Sequence, residues 1–211
     1  MPTLQPDLRP WSRSLRRLAL TSVAVATVLL LGLVAPPRPA ADLLLQTGPE
    51  AGPTFLRTVT PMIDQASERI YVAVYVMRMD PDNPRHPVTD LCRRLAAAVR
   101  RGVDVRVVLD TGRDWRTGEP EDKHATAAAW LRANGVPALL DDIDERTHVK
   151  TLVIDQSAIV GSHNWTAAAL LHNRELSILS HDPDMVRAVV DFFLALPGFV
   201  DLVPRPPVGR P

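Results

Sequence analysis

Residues 148–164 have the sequence HVKTLVIDQSAIVGSHN. Two apolar runs within this stretch, residues 152–154 and 158–160, are separated by the polar residues 155–157. The pattern predicts two buried strands joined by a tight turn, because β-branched apolar residues favour sheets, whereas Asp and Ser favour turns. The second strand therefore brings residues 161–164 back beside the start of the first strand.

The chain on either side of this hairpin alternates between strand-like and helix-like periodicity. Residues 69–77 (RIYVAVYVM) are apolar on both faces, which predicts a central strand. Further strands are predicted at 43–45, 105–109, 137–140, 149–154, 158–160 and 176–179, and helices at 53–67, 89–101 (capped by Thr89), 121–133 and from 182 onward. The alternation predicts an α/β fold in which a mixed, largely buried sheet has helices on both faces.

Residues 1–41 differ in composition from the rest of the chain. Arg13, Arg16 and Arg17 precede an apolar run at 18–35, a predicted N-terminal helix that contains no charged residue. This order is typical of a secretory signal peptide, and a run of about 17–25 apolar residues also suffices to span a bilayer. A cleaved signal and an uncleaved membrane anchor both remain open, and either would export the domain to the cell envelope. We expect that domain at 42–203 and an extended Pro-rich tail at 204–211.

Charge and cysteine content limit the possible functions. Residues 42–211 contain 19 basic and 23 acidic residues, a balance of −4. A non-specific nucleic-acid binder usually has the opposite sign, so any polyanion binding must depend on a local patch. Cys92 is the only cysteine, which excludes an intrachain disulfide, and its neighbours Leu91 and Leu95 favour a buried helical position.

The residues that carry chemistry lie in the hairpin. His148 and Lys150 are two positions apart in a strand and therefore share a face. A neutral imidazole can attack phosphorus and form a covalent phosphohistidine, while the ammonium of Lys150 attracts the non-bridging oxygens. Ser162 and Asn164 are donors for charge that develops in the transition state. The chain has 22 arginines and two lysines, Lys123 and Lys150, and a compact ammonium at position 150 suits phosphate.

The same stretch resembles the HKD motif of the phospholipase D superfamily, HxKxxxxDxxxxxxGSxN. The matching residues are His148, Lys150, Asp155, Gly161, Ser162 and Asn164. Five residues, not six, separate Asp155 from Gly161, which we expect to give a tighter hairpin. The order of elements from 42 to 195 also resembles the small, single-motif bacterial nucleases of this superfamily.

This resemblance implies roles for individual residues. His148, Lys150, Asn164 and Glu175 are the expected catalytic residues. Lys150, Ser162 and Asn164 are expected to bind the substrate phosphate, and Asp155 and Gly161 to be structural. In relatives an acidic residue on the following strand hydrogen-bonds the catalytic histidine and fixes its tautomer, and Glu175 is at the matching position.

The resemblance also implies a partner. The superfamily's site contains two motifs, whose histidines act as nucleophile and general acid. This chain has one motif and no internal repeat, so a working site implies a homodimer with the two copies of His148 facing each other across a two-fold axis. No metal and no cofactor is expected.

Several other residues have weaker functional interpretations. His163, His172 and the acidic residues Asp141, Asp142 and Asp144 lack metal-ligand spacing, so we interpret residues 141–145 as a solvated loop. Trp115 and Trp165 favour core or rim packing over base stacking. The candidate supplementary phosphate contacts are Arg113, Arg116 and Lys123, which follow a core strand at the edge where α/β sheets bind ligands.

The sequence thus predicts an exported, dimeric, metal-independent phosphodiesterase with a nucleic-acid substrate. Phospholipase D activity on phospholipid head groups is the first alternative, with the membrane as a further partner if residues 18–35 are not removed. A catalytically silent envelope module that binds a phosphate ligand is the alternative from another class, and the intact His, Lys, Asn and Glu argue against it.

Overall fold

The computed structural model of the chain describes residues 42–112, 114, 116–119, 124–142 and 144–202. The predicted signal or anchor and the Pro-rich tail lie outside these residues, as do Arg113, Trp115 and Lys123. No helix in the described part is long and apolar enough to cross a membrane.

One mixed sheet organises the described residues. Its seven strands follow the spatial order β1-β7-β6-β5-β2-β3-β4. β2, β3 and β4 are parallel neighbours, and the other pairs are antiparallel. The strands are β1 (Leu43–Thr47), β2 (Arg69–Val74), β3 (Asp104–Leu109), β4 (Ala138–Leu140), β5 (Lys150–Ile154), β6 (Ser157–Gly161) and β7 (Glu175–Ser180).

Five helices accompany the sheet in the same residues: α1 (Thr54–Gln65), α2 (Pro87–Arg100), α3 (Ala125–Ala133), α4 (Ala167–Leu171) and α5 (Pro183–Ala195). Side chains alternate along β2, so Ile70 and Val72 join the core formed with α1, α2 and α3, whereas Tyr71 and Ala73 join the core formed with α5. Helices on both faces of a buried mixed sheet confirm the predicted fold class.

Helix starts differ from the predictions in local detail. The second helix begins at Pro87, whose fixed φ suits the first helical position, and Thr89 lies within the first turn. The Thr89 hydroxyl donates to the carbonyl of Asp80 at 2.7 Å instead of capping the helix. Asp182 does cap the last helix, because its carboxylate accepts from the backbone N–H of Asp184. Helix α4 was not predicted. The hydroxyl of Thr166 caps it by accepting a hydrogen bond from the backbone N–H of Ala169.

The hairpin between β5 and β6 has a two-residue turn. Ile154 pairs with Ser157, which leaves Asp155 and Gln156 as the loop, and Asp155 has a positive φ of 48°. Asp tolerates this left-handed conformation better than most residues. The five-residue spacing between Asp155 and Gly161 is thus compatible with a regular hairpin.

The Asp155 carboxylate ties this turn to the start of β2. It accepts hydrogen bonds from the backbone N–H groups of Ser67, Glu68 and Arg69 at 3.0, 2.8 and 3.1 Å. Burial alone would raise the pKa of Asp155, but these three donors hold it below its ordinary value.

The edge strand β1 runs antiparallel to β7. Leu43, its first residue, pairs with Leu179, and Thr47, its last, pairs with Glu175. β1 therefore begins at one end of the strands and runs toward the other end, where Glu175 lies.

Candidate active site

The predicted site residues converge on one edge of the sheet. This edge is formed by strand ends: β5 and β7 begin there, and β2 and β6 end there. The reason is that β5 is antiparallel to both β2 and β6, and β6 is antiparallel to β7. The hairpin therefore brings His148 and Lys150 to the same edge as Gly161–Asn164, and β7 brings Glu175.

His148 and Lys150 form a close pair. The ammonium of Lys150 lies 3.2 Å from Nδ1 and 3.3 Å from Nε2 of His148, and it donates to the His148 carbonyl at 3.0 Å. His148 is exposed just before β5, and Lys150 is the first residue of that strand. A nucleophilic nitrogen and a cation this close can act on a single anionic group.

Tyr75 is a site residue that the sequence analysis missed. Its ring centroid lies 4.2 Å from that of His148 and 4.9 Å from the Lys150 ammonium, and its hydroxyl accepts a hydrogen bond from Arg146 at 2.9 Å. The available signal was its place near the end of the predicted central strand at 69–77.

Ser162 and Glu175 contact each other. The Ser162 hydroxyl donates to the Glu175 carboxylate and accepts from the backbone N–H of Leu176 at 3.1 Å. The amide of Asn173 also donates to Glu175, at 3.0 Å. Within the described residues, the carboxylate of Glu175 hydrogen-bonds Ser162 and Asn173 and not His148. In this arrangement Glu175 orients the serine.

Asn164 is fixed by the chain that follows β2. Its side-chain carbonyl accepts from the backbone N–H of Val76 at 3.1 Å, and the next residue, Trp165, donates its own N–H to the Val76 carbonyl at 2.9 Å. Because the side-chain oxygen is engaged, the NH₂ group is the donor that Asn164 can present to an anion.

Gly161 permits close contact between β6 and β7. A Cβ atom at this position would lie 2.1 Å from Oγ and 2.4 Å from Cα of Ser177, so a side chain here would displace the neighbouring strand. The immediate neighbour of the glycine is Ser177, which gives Gly161 a role in strand packing.

His163 lies behind the site in the core. Nδ1 is 2.7 Å from the Ser177 hydroxyl, Nε2 is 3.0 Å from the Thr47 hydroxyl, and the ring stacks on Phe55 at 4.3 Å. Burial lowers the pKa of His163 to about 4, although the nearby charge of Glu175 acts in the opposite direction. This histidine is neutral and structural at pH 7.

The other candidate residues are dispersed. Trp165 is fully buried, as predicted for core packing, and burial raises the pKa of the Cys92 thiol to about 12, which makes it inert. His172 and Arg116 are exposed. The described residues include no group of three or more His, Cys, Asp or Glu side chains suited to a metal ion.

Residues 59–196 match the family model described as "Cardiolipin synthase, PLD-like domain". The chain belongs to the phospholipase D-like family. Two solved structures support the same fold. A phospholipase D family member, NUC from Salmonella typhimurium, is 22% identical with a TM-score of 0.55 and covers 77% of this chain and 94% of its own. NucT from Helicobacter pylori is 18% identical, also with a TM-score of 0.55, and covers 77% and 97%.

Two curated relatives share parts of this phospholipase D-like domain. A phospholipase D of Rickettsia conorii is 28% identical over 149 residues, which are 69% of this chain and 64% of that protein. A mitochondrial cardiolipin hydrolase of Danio rerio is 32% identical over 110 residues, 51% of this chain and 45% of that protein. The chain thus spans from about half to almost two thirds of the length of these relatives.

Proposed function

We propose that this phospholipase D-like protein is a metal-independent phosphodiester hydrolase that acts through a phosphohistidine intermediate. The observation that carries the proposal is the His148–Lys150 pair at the sheet edge, with the ammonium within 3.3 Å of both ring nitrogens. Lys150 and the amide of Asn164 hold the phosphate oxygens, and Ser162 joins them when its hydroxyl proton, which it donates to Glu175 in the free chain, turns to the phosphate.

The reaction has two steps. A neutral ring nitrogen of His148 attacks phosphorus, and the bond between phosphorus and the leaving oxygen breaks. The partner's His148, protonated at the start, donates its proton to that oxygen and becomes neutral. It then accepts a proton from a water molecule that attacks the phosphohistidine, which releases the phosphate monoester and regenerates His148.

A shared site between two copies follows from the single motif. One chain supplies one His148 and one Lys150, and the mechanism needs a nucleophile and a separate general acid. We therefore propose a homodimer with both copies of His148 at the two-fold axis.

Nucleic acid is the proposed substrate, and the resemblance to small single-motif nucleases supports it. Phospholipid is the second candidate, and two observations favour it. The curated relatives are named phospholipase D and cardiolipin hydrolase. In addition, Leu176, next to Glu175 at the site edge, is 50% exposed and offers an apolar contact to an acyl chain.

Export is also part of the proposal, and the basic and apolar pattern of residues 1–35 supports it. Fractionation of cells that express the full chain, followed by N-terminal sequencing of the recovered protein, would show whether it reaches the envelope and whether residues 1–41 are removed.

In the decisive experiment, the full chain is incubated in the presence of EDTA with four substrates in turn. They are plasmid DNA, single-stranded DNA, phosphatidylcholine vesicles and bis-p-nitrophenyl phosphate. We expect hydrolysis of at least one substrate and a loss of about 10³-fold or more in His148→Ala, because no other group replaces the nucleophile. His172→Ala is the matched control, since His172 is exposed and outside the site. Full activity in His148→Ala would contradict the mechanism, and turnover of none of the substrates would favour a silent binding module.

A further inference from the structure

Tyr75 is held at each of its polar groups. Its backbone N–H donates to the Val149 carbonyl at 2.9 Å, its carbonyl lies 3.0 Å from Nε2 of the buried His124, and its hydroxyl accepts from Arg146 at 2.9 Å. The ring is half-buried, directly after β2. These contacts leave the ring little freedom to move.

The ring contacts the side chains of both His148 and Lys150. His148 lies just before β5 and is exposed. Lys150 has a long side chain with many rotamers, which lose entropy when they are ordered. A fixed aromatic face limits the rotamers of both side chains. A cation is attracted to such a face within about 6 Å of the ring centroid, and an imidazole packs against it.

We propose that Tyr75 is a positioning residue for the reaction: its ring holds the His148 imidazole and the Lys150 ammonium in reactive orientation. The inference rests on the proposed function, since it assigns Tyr75 to the same site. The guanidinium carbon of Arg146 lies 5.7 Å from the ring centroid, so two cationic side chains contact one ring.

The test compares four variants of the full chain on bis-p-nitrophenyl phosphate. Tyr75→Leu removes the ring, and Tyr75→Met removes it while filling the space with a flexible apolar chain. Tyr75→Phe keeps the ring and loses only the hydroxyl. The matched control is Tyr71→Leu, because Tyr71 is the chain's other tyrosine, lies on β2 and packs with Phe193 and Phe199 in the core formed with α5.

We expect the Leu and Met variants to lower kcat by about 10- to 100-fold with a smaller change in KM, because misplaced groups slow the chemical step more than they weaken binding. Tyr75→Phe should restore most of kcat, and Tyr71→Leu should lower Tm without this change in kcat. If a folded Leu or Met variant, judged by its Tm, has the kcat of the wild type, the positioning role is wrong.

His148→Ala separates this inference from the proposed function. An active His148→Ala enzyme would overturn the mechanism whatever Tyr75 does. An inactive His148→Ala enzyme beside a fully active Tyr75→Leu enzyme would overturn only the role of Tyr75. If Tyr75→Phe is as slow as Tyr75→Leu, the ring has no positioning role, and the hydroxyl must act by itself.

Discussion

The buried His163 makes stability depend on pH. Its pKa is about 4 in the folded chain and about 6.5 when unfolded. The unfolded chain therefore takes up a proton at a higher pH than the folded chain does. The contribution of His163 to stability is complete above pH 6.5 and is lost as pH falls toward 4, by up to roughly 3 kcal/mol.

Urea unfolding at pH 7, 5.5 and 4.5 would measure this loss. His163→Gln keeps hydrogen-bonding groups but cannot titrate in this range, so its free energy of unfolding should depend less on pH than that of the wild type. His172→Gln should behave like the wild type because His172 is exposed. Equal pH dependence in the wild type and His163→Gln would contradict the assignment.

Single residues in and around the site differ in how directly the sequence revealed them. The shared sheet edge of His148, Lys150 and Asn164 was predictable because a hairpin fixes which ends of its two strands lie together. The contacts of Tyr75 and the hydrogen-bond partners of Glu175 were not, because they depend on side-chain rotamers and on contacts between distant parts of the chain. Glu175 was expected to bond His148, but rotation about its side-chain bonds suffices to reach Ser162 and Asn173 instead.

At the scale of elements, periodicity predicted the buried strands and the helices on both faces, because burial of one face per element dominates their stability. It did not predict α4, whose five residues are too few for a periodic signal. The true start of α2 was also missed, since Thr89 resembles a cap but bonds the preceding loop.

The hairpin turn offers a prediction at this scale. Asp155→Ala removes the acceptor for three backbone donors, so we expect a loss of about 1–3 kcal/mol in the free energy of unfolding. The kcat of the protein that remains folded should stay near that of the wild type, because Asp155 is at the far end of β5 from His148. Denaturant unfolding together with kcat measurements would check both parts. A kcat loss like that of His148→Ala, with unchanged stability, would instead make Asp155 catalytic.

At the scale of the whole molecule, the proposed site requires two copies of the chain, and mixing tests this directly. If wild type and His148→Ala are co-expressed in equal amounts and pair at random, about a quarter of the dimers contain two intact histidines. We expect activity to fall to about a quarter of that of the same total amount of wild type. Independent sites would retain half, and an active monomer in sedimentation would exclude the shared site.

The direction of β1 has a practical consequence. Leu43 pairs with Leu179 and Thr47 with Glu175, so the first described residue, Asp42, precedes the end of β1 that is about 13 Å from the edge with the proposed site. A bead, dye or surface linked at Asp42 itself would attach at the opposite end of the strands from His148. The described domain can thus be immobilised through Asp42 while the edge with the proposed site stays open to a substrate as bulky as a plasmid or a vesicle.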